Sequence, residues 1–65
     1  MSKLRQYRKQ RGLTQENVAA TVGVAKSAIS KIEAGTRVPS LRLLMRIIKM
    51  SKGKLTAADF LPPSD

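Results

Sequence analysis

The side chains equipped for recognition chemistry in this sequence are hydrogen-bond donors, and they cluster between residues 26 and 31. Lys26 and Lys31 can donate to guanine O6 and N7, while Ser27 and Ser30 can donate or accept at a base edge. Between them, Ala28 either meets a thymine methyl or packs against the neighbouring turn. Groups for catalysis are missing, because the 65 residues hold no His, no Cys and only four Asp plus Glu. That composition excludes an acid–base pair, a nucleophile with its base and a cluster of metal ligands. Neither an enzyme nor a metal or cofactor is expected.

Charge names the partner. Thirteen Lys plus Arg against the four acids leave a formal charge of +9, which draws polyanions from a distance whichever face finally binds. Tyr7 and Phe60 are the only aromatic residues, too few for the stacking platforms that hold single strands, so duplex DNA is the expected partner. No apolar run approaches the roughly 20 residues that span a bilayer, and the charged N-terminus lacks the apolar segment of a signal peptide. No membrane partner is expected, and the place of action is expected to be the cytoplasm, on the nucleoid.

The donors must be positioned by helices. Apolar spacing and punctuation predict a single all-α domain over 1–65, a compact bundle of four to five short helices with 61–65 as a short tail. Ser2 can cap a first helix over 2–11 that Gly12 ends, with Leu4 and Tyr7 inward and Lys3, Arg5 and Lys9 outward. Arg8 sits within about one residue's rotation of the apolar side and needs a partner. Thr14 caps a second helix to about Val22, although Asn17 makes only half of a capping box. A third helix is predicted from about Ala25 to Ala34, with Ala25, Ile29 and Ile32 inward and Gly35 as C-cap. Ser40 caps a fourth to about Met50, whose apolar residues spread over an arc of about 220°. Such a helix is either central or part of a subunit interface, and Arg46 and Lys49 fall on its solvated stripe. After a polar break over 51–54, Thr56 to Asp59 resemble a capping-box turn, from which Phe60 and Leu61 fold back before Pro62 and Pro63.

Gln15, Ala19, Gly23, Ile29 and Ile32 fall at intervals of four, four, six and three, with Val24 directly after the glycine. A small residue where two helices cross and a glycine free to take positive φ define a helix-turn-helix at about 14–34. With Leu13-Thr14-Gln15-Glu16, Val18-Ala19, Val22-Gly23-Val24, Ala28-Ile29-Ser30, Ile32-Glu33, Gly35 and Pro39-Ser40-Leu41 in order, the chain resembles the lambda repressor/Cro type of helix-turn-helix DNA-binding protein, over roughly residues 4 to 50. This is the xenobiotic-response-element-like family of small phage and bacterial regulators.

The resemblance implies a lambda repressor-like domain that binds a pseudo-palindromic operator as a homodimer, with the third helix in the major groove. It implies that Gln15 bonds a phosphate and braces a base-reading side chain, and that Arg8 and Glu33 form an ion pair tying the first helix to the third. Thr14 adds a backbone-oxygen contact or serves only as cap, and Arg37 reaches a phosphate or the minor-groove edge. The resemblance departs after Ile48, where Ser51 stands at a usually apolar position. The groove-facing side carries no Arg, Asn or Gln, so DNA shape is expected to supply much of the discrimination. In a single domain no small-molecule ligand is expected, and control falls to concentration and dimerisation. The expected function is a transcriptional repressor, with activation left open. The rival is a protein-interaction module of the antitoxin type.

Overall fold

Three of the four α-helices among the described residues start where a short polar side chain holds the first free N–H groups, and the third starts at Ala25 without one. The computed structural model describes residues 2–60. Helix α1 spans Lys3–Gln10, α2 Gln15–Val22, α3 Lys26–Ala34 and α4 Leu41–Met50, followed by a 3-10 turn at Ala57–Asp59. Ser2 Oγ accepts from the Arg5 N–H at 3.3 Å and Ser40 Oγ from the Leu43 N–H at 3.3 Å. At α2 the box is complete: Thr14 Oγ1 accepts from the Asn17 N–H and Asn17 Oδ1 from the Thr14 N–H, both at 3.0 Å. The expectation of half a motif is corrected, because the shorter amide of Asn17 reaches back as Glu or Gln does elsewhere.

Gly23 ends α2 in the left-handed region at φ 77°. There its own N–H and that of Val24 both donate to the Ala19 carbonyl at 2.9 Å. Close behind lies Arg46, whose Nη1 donates to the Val22 carbonyl at 3.3 Å and stands 3.2 Å from where a Cβ on Gly23 would be. Arg46 is therefore no member of a merely solvated stripe. It caps the free carbonyl end of α2 from α4, a long-range role that helical spacing does not reveal.

Leu4, Tyr7, Val18, Ala19, Val22, Ile29, Ile32, Leu43, Ile47 and Leu55 form one core, with Leu13, Val24, Met50 and Phe60 packed at its edge. α2 lies against both α3 and α4, and α1 against α3. Two inward assignments change. Ala25 is the exposed N-cap of α3, with extended backbone at ψ 152°. A helical wheel does not hold for a residue outside the helix, and Ala28 takes the inward place at 6% exposure.

The segment after α4 is less polar in effect than in composition. Ser51 is fully buried, donating from Oγ to the Ile48 carbonyl at 2.9 Å and accepting there from the Leu55 N–H at 3.0 Å. It turns the chain so that Leu55 enters the core. The Thr56 N–H then donates to Asp59 Oδ2 at 2.9 Å, and Phe60 packs back on the core as expected. Leu61, Pro62, Pro63 and the tail 61–65 lie outside the described residues. Along α4 only Leu43, Leu44 and Ile47 are buried. Leu41 is 73% exposed and Met45 62%, so part of the wide apolar arc faces outward, and Val38 in the loop before α4 is 53% exposed.

Replacing Ser51 by Ala strands the buried Leu55 N–H without an acceptor. Urea denaturation of Ser51→Ala is expected to show a loss of about 1–3 kcal/mol, with an unchanged denaturant slope.

Candidate nucleic-acid interface

The outward side of α3 is made of short or basic groups. Lys26, Ser27, Ser30 and Lys31 are all exposed, and so is Ala34. Ala28 is buried at 6%, so of its two expected roles, a thymine-methyl contact or packing against the turn, burial favours packing. Inward, Ile29 and Ile32 anchor the helix in the core. The two sides follow from periodicity; the rotation of the helix about its axis needs a further constraint.

That constraint is polar. Arg8 Nε donates to Glu33 Oε2 at 2.9 Å and Nη2 to Oε1 at 3.0 Å, a bidentate pair joining α1 to α3. Its side chains are 13% and 6% exposed. The hydrogen bond to Glu33 holds the Arg8 pKa above its ordinary value, against the opposing effect of burial, so the guanidinium keeps its charge. Arg8 Nη1 also donates to the Leu13 carbonyl at 3.2 Å, and Gln15 Nε2 to Glu33 Oε1 at 3.3 Å. Three helices thus meet at one carboxylate. No buried side-chain N or O atom among the described residues lacks a partner.

The other sequence-predicted residues surround this junction unevenly. Thr14, Gln15 and Lys26 line one shallow hollow with Arg8 and Glu16. Thr14 is exposed, but its hydroxyl and N–H are both held by the cap. Gln15 is half-buried, with its amide donor committed to Glu33. Lys26 Nζ lies 3.7 Å from Glu16 Oε1, with side chains 59% and 75% exposed. Water screens such a pair and leaves it easily opened. A second hollow joins Gln15 and Ser30 to Arg5. Arg37 is not brought to this group: it lies beyond the far end of α3, beside Ser2, Pro39 and Asp59. Since α3 has nine residues, it separates Lys26 from that end by about 13 Å.

Two features of this surface escape a sequence reading. Glu16 stands against Lys26, a pairing between helices that only the fold creates. Arg5 lies on an exposed flank of α1 by the wheel yet borders α3; its position one turn before Arg8 is the available signal. No group of three potential metal ligands occurs among the described residues. No described helix is long and apolar enough to cross a membrane.

Comparison with known proteins agrees with this geometry. A family model described as Helix-turn-helix matches residues 4–50. The chain is 46% identical over 46 residues to an uncharacterized HTH-type transcriptional regulator of Methanothermobacter thermautotrophicus, covering 71% of this chain and 67% of the relative. It is 37% identical over 54 residues to the uncharacterized HTH-type transcriptional regulator YgzD of Bacillus subtilis, covering 83% and 82%. A third relative of the same description, from Methanocaldococcus jannaschii, is 44% identical over 48 residues, 74% of this chain and 73% of its own. No solved structure matches the chain significantly.

Breaking the junction on one side leaves a buried charge alone. Arg8→Met and Glu33→Leu are each expected to lose roughly 3–5 kcal/mol in chemical denaturation, and the double variant less than their sum. Additive losses would show that the two side chains act independently.

Proposed function

This chain belongs to the Cro/C1-type helix-turn-helix family, and on that premise we propose that it represses transcription by occupying a pseudo-palindromic operator as a homodimer. The coarser statement stands by kinship: it is a DNA-binding transcriptional regulator and not an enzyme. The observation that carries the finer reading is the outward side of α3. A junction whose donors and acceptors are internally satisfied fixes the helix, and the exposed Lys26, Ser27, Ser30 and Lys31 remain for the major groove.

In this reading Lys26 and Lys31 donate to guanine edges and the serines adapt to either partner. Thr14 and Gln15 lie at the entry of α2 and meet the sugar–phosphate backbone, and Arg37 meets it beyond the other end of α3. Two lysines, each a point charge on a flexible stem, and two short serines discriminate weakly, so the groove width and stiffness of the operator carry part of the specificity. Its place of action is the DNA of the cytoplasm.

The second copy docks on the exposed Leu41 and Met45, about one turn apart on α4, together with Val38 in the loop before that helix. Such a patch offers on the order of 300 Å², against about 800 Å² per partner in a stable interface. Each copy also carries +9. The dimer is therefore weak in solution and completes on DNA, where phosphates offset the repulsion. The same patch favours the rival, a protein partner of the antitoxin type, and the two readings part on DNA.

Selection from randomised duplex DNA is expected to recover a palindrome with half-sites about 10 base pairs apart. Enrichment of no sequence would remove the operator reading. Leu41→Arg is expected to keep the fold, measured by circular dichroism, and to bind one half-site as before while losing the preference for two.

A further inference from the structure

We infer that the hollow between α1 and α3 seats a DNA backbone phosphate, with the Arg5 guanidinium and the Ser30 hydroxyl as its donors. The inference rests on the DNA-binding reading above and adds to it a contact from α1 outside the helix-turn-helix.

Arg5, Arg8, Gln15, Ser30, Glu33 and Ala34 line this hollow. Glu33 would repel a phosphate if its charge were free, but its Oε1 and Oε2 accept from Arg8 at 3.0 and 2.9 Å, and Oε1 also from Gln15 at 3.3 Å. Arg8 neutralises it on the spot. What remains is Arg5, exposed and in no ion pair among the described residues. Its backbone N–H donates to Ser2 Oγ, and its guanidinium makes no hydrogen bond among the described residues. Its planar fork matches two oxygens of a phosphate, and a serine hydroxyl supplies a further donor.

Geometry gives the reason a phosphate arrives there. A helix with side chains is about 10–12 Å across and the major groove about 12 Å wide, so a helix in the groove meets the backbone along its flanks. Ser30 lies one turn after Lys26 on α3, at the flank that borders α1. The inference thus moves Ser30 from the base-reading set to backbone positioning and leaves Lys26, Ser27 and Lys31 to the bases. α1 becomes an edge that registers the recognition helix against one strand.

Lys3 supplies the control. It carries the same charge on the same helix, is exposed, and lies about 160° around α1 from Arg5. The probe is a mixed-sequence duplex of about two helical turns, titrated by fluorescence anisotropy over a range of salt with wild type, Arg5→Gln, Lys3→Gln and Ser30→Ala. Thermal melts of the free variants establish equal folding. Arg5→Gln is expected to lower the slope of log K against log salt by about 0.9 per bound subunit and Lys3→Gln to leave it unchanged. Ser30→Ala is expected to weaken binding to the same degree on every duplex sequence tried. An unchanged slope for Arg5→Gln, or an equal fall for Lys3→Gln, overturns the inference while leaving the DNA-binding reading in place. Wild type that fails to bind the duplex overturns both.

Discussion

The guanidinium of Arg8 reaches from α1 to α3 and meets both oxygens of Glu33 at 2.9 and 3.0 Å, and the setting of the outward side of α3, the proposed recognition surface, follows from that contact. Apolar packing alone holds a short helix against a core but specifies its rotation poorly, since Leu, Ile and Val tolerate small turns of the axis. A bidentate charged pair tolerates few. Removing two charges from water costs about as much as their attraction returns, so the pair contributes orientation more than stability. Gln15 brings α2 to the same carboxylate. α2 is then gripped at both ends by arginines from other helices: Arg8 Nη1 on the Leu13 carbonyl before it, Arg46 Nη1 on the Val22 carbonyl at its close. The turn of the motif is held by its neighbours as well as by its own glycine.

Local physics made most of the fold legible. Ser2, Thr14 and Ser40 announce helix starts because a cap is decided within four residues, and Gly23 and Gly35 announce ends because left-handed backbone favours glycine. What stayed hidden depends on residues distant in sequence. Ser51 reads as part of a polar break until the Leu55 N–H is seen to need it, and Arg46 reads as a solvated charge until the end of α2 is placed beside it. Ala25, expected inward, is exposed, because a wheel drawn through the start of α3 assigns a helical angle to a residue that is not helical. In the candidate interface the exposure of Lys26, Ser27, Ser30 and Lys31 followed from spacing. The proximity of Arg5 to Ser30 did not, because it exists only once α1 crosses α3.

Function follows from how the charges are spent. Glu16, Glu33 and Asp59, the acids among the described residues, are each engaged locally, with Lys26, Arg8 and the Thr56 N–H respectively. The basic excess is left to the outside, where a charge of +9 attracts polyanions; the proposed reading of bases by α3 is a loose one. Lysine and serine on α3 select fewer base pairs than arginine, asparagine or glutamine would. On the proposed reading, such a protein gains specificity from a second copy, docked where Val38, Leu41 and Met45 are exposed, and from sequence-dependent DNA shape.

Chemical-shift mapping of the nitrogen-15-labelled protein on addition of duplex DNA tests the central claim most directly, because it reports every backbone amide at once. The largest changes are expected at residues 26–31 on α3, at Thr14 and Gln15, at Arg37 and at Arg5, with the Leu55 amide and the core little moved. Changes confined to residues 38–48, with α3 silent, would contradict it.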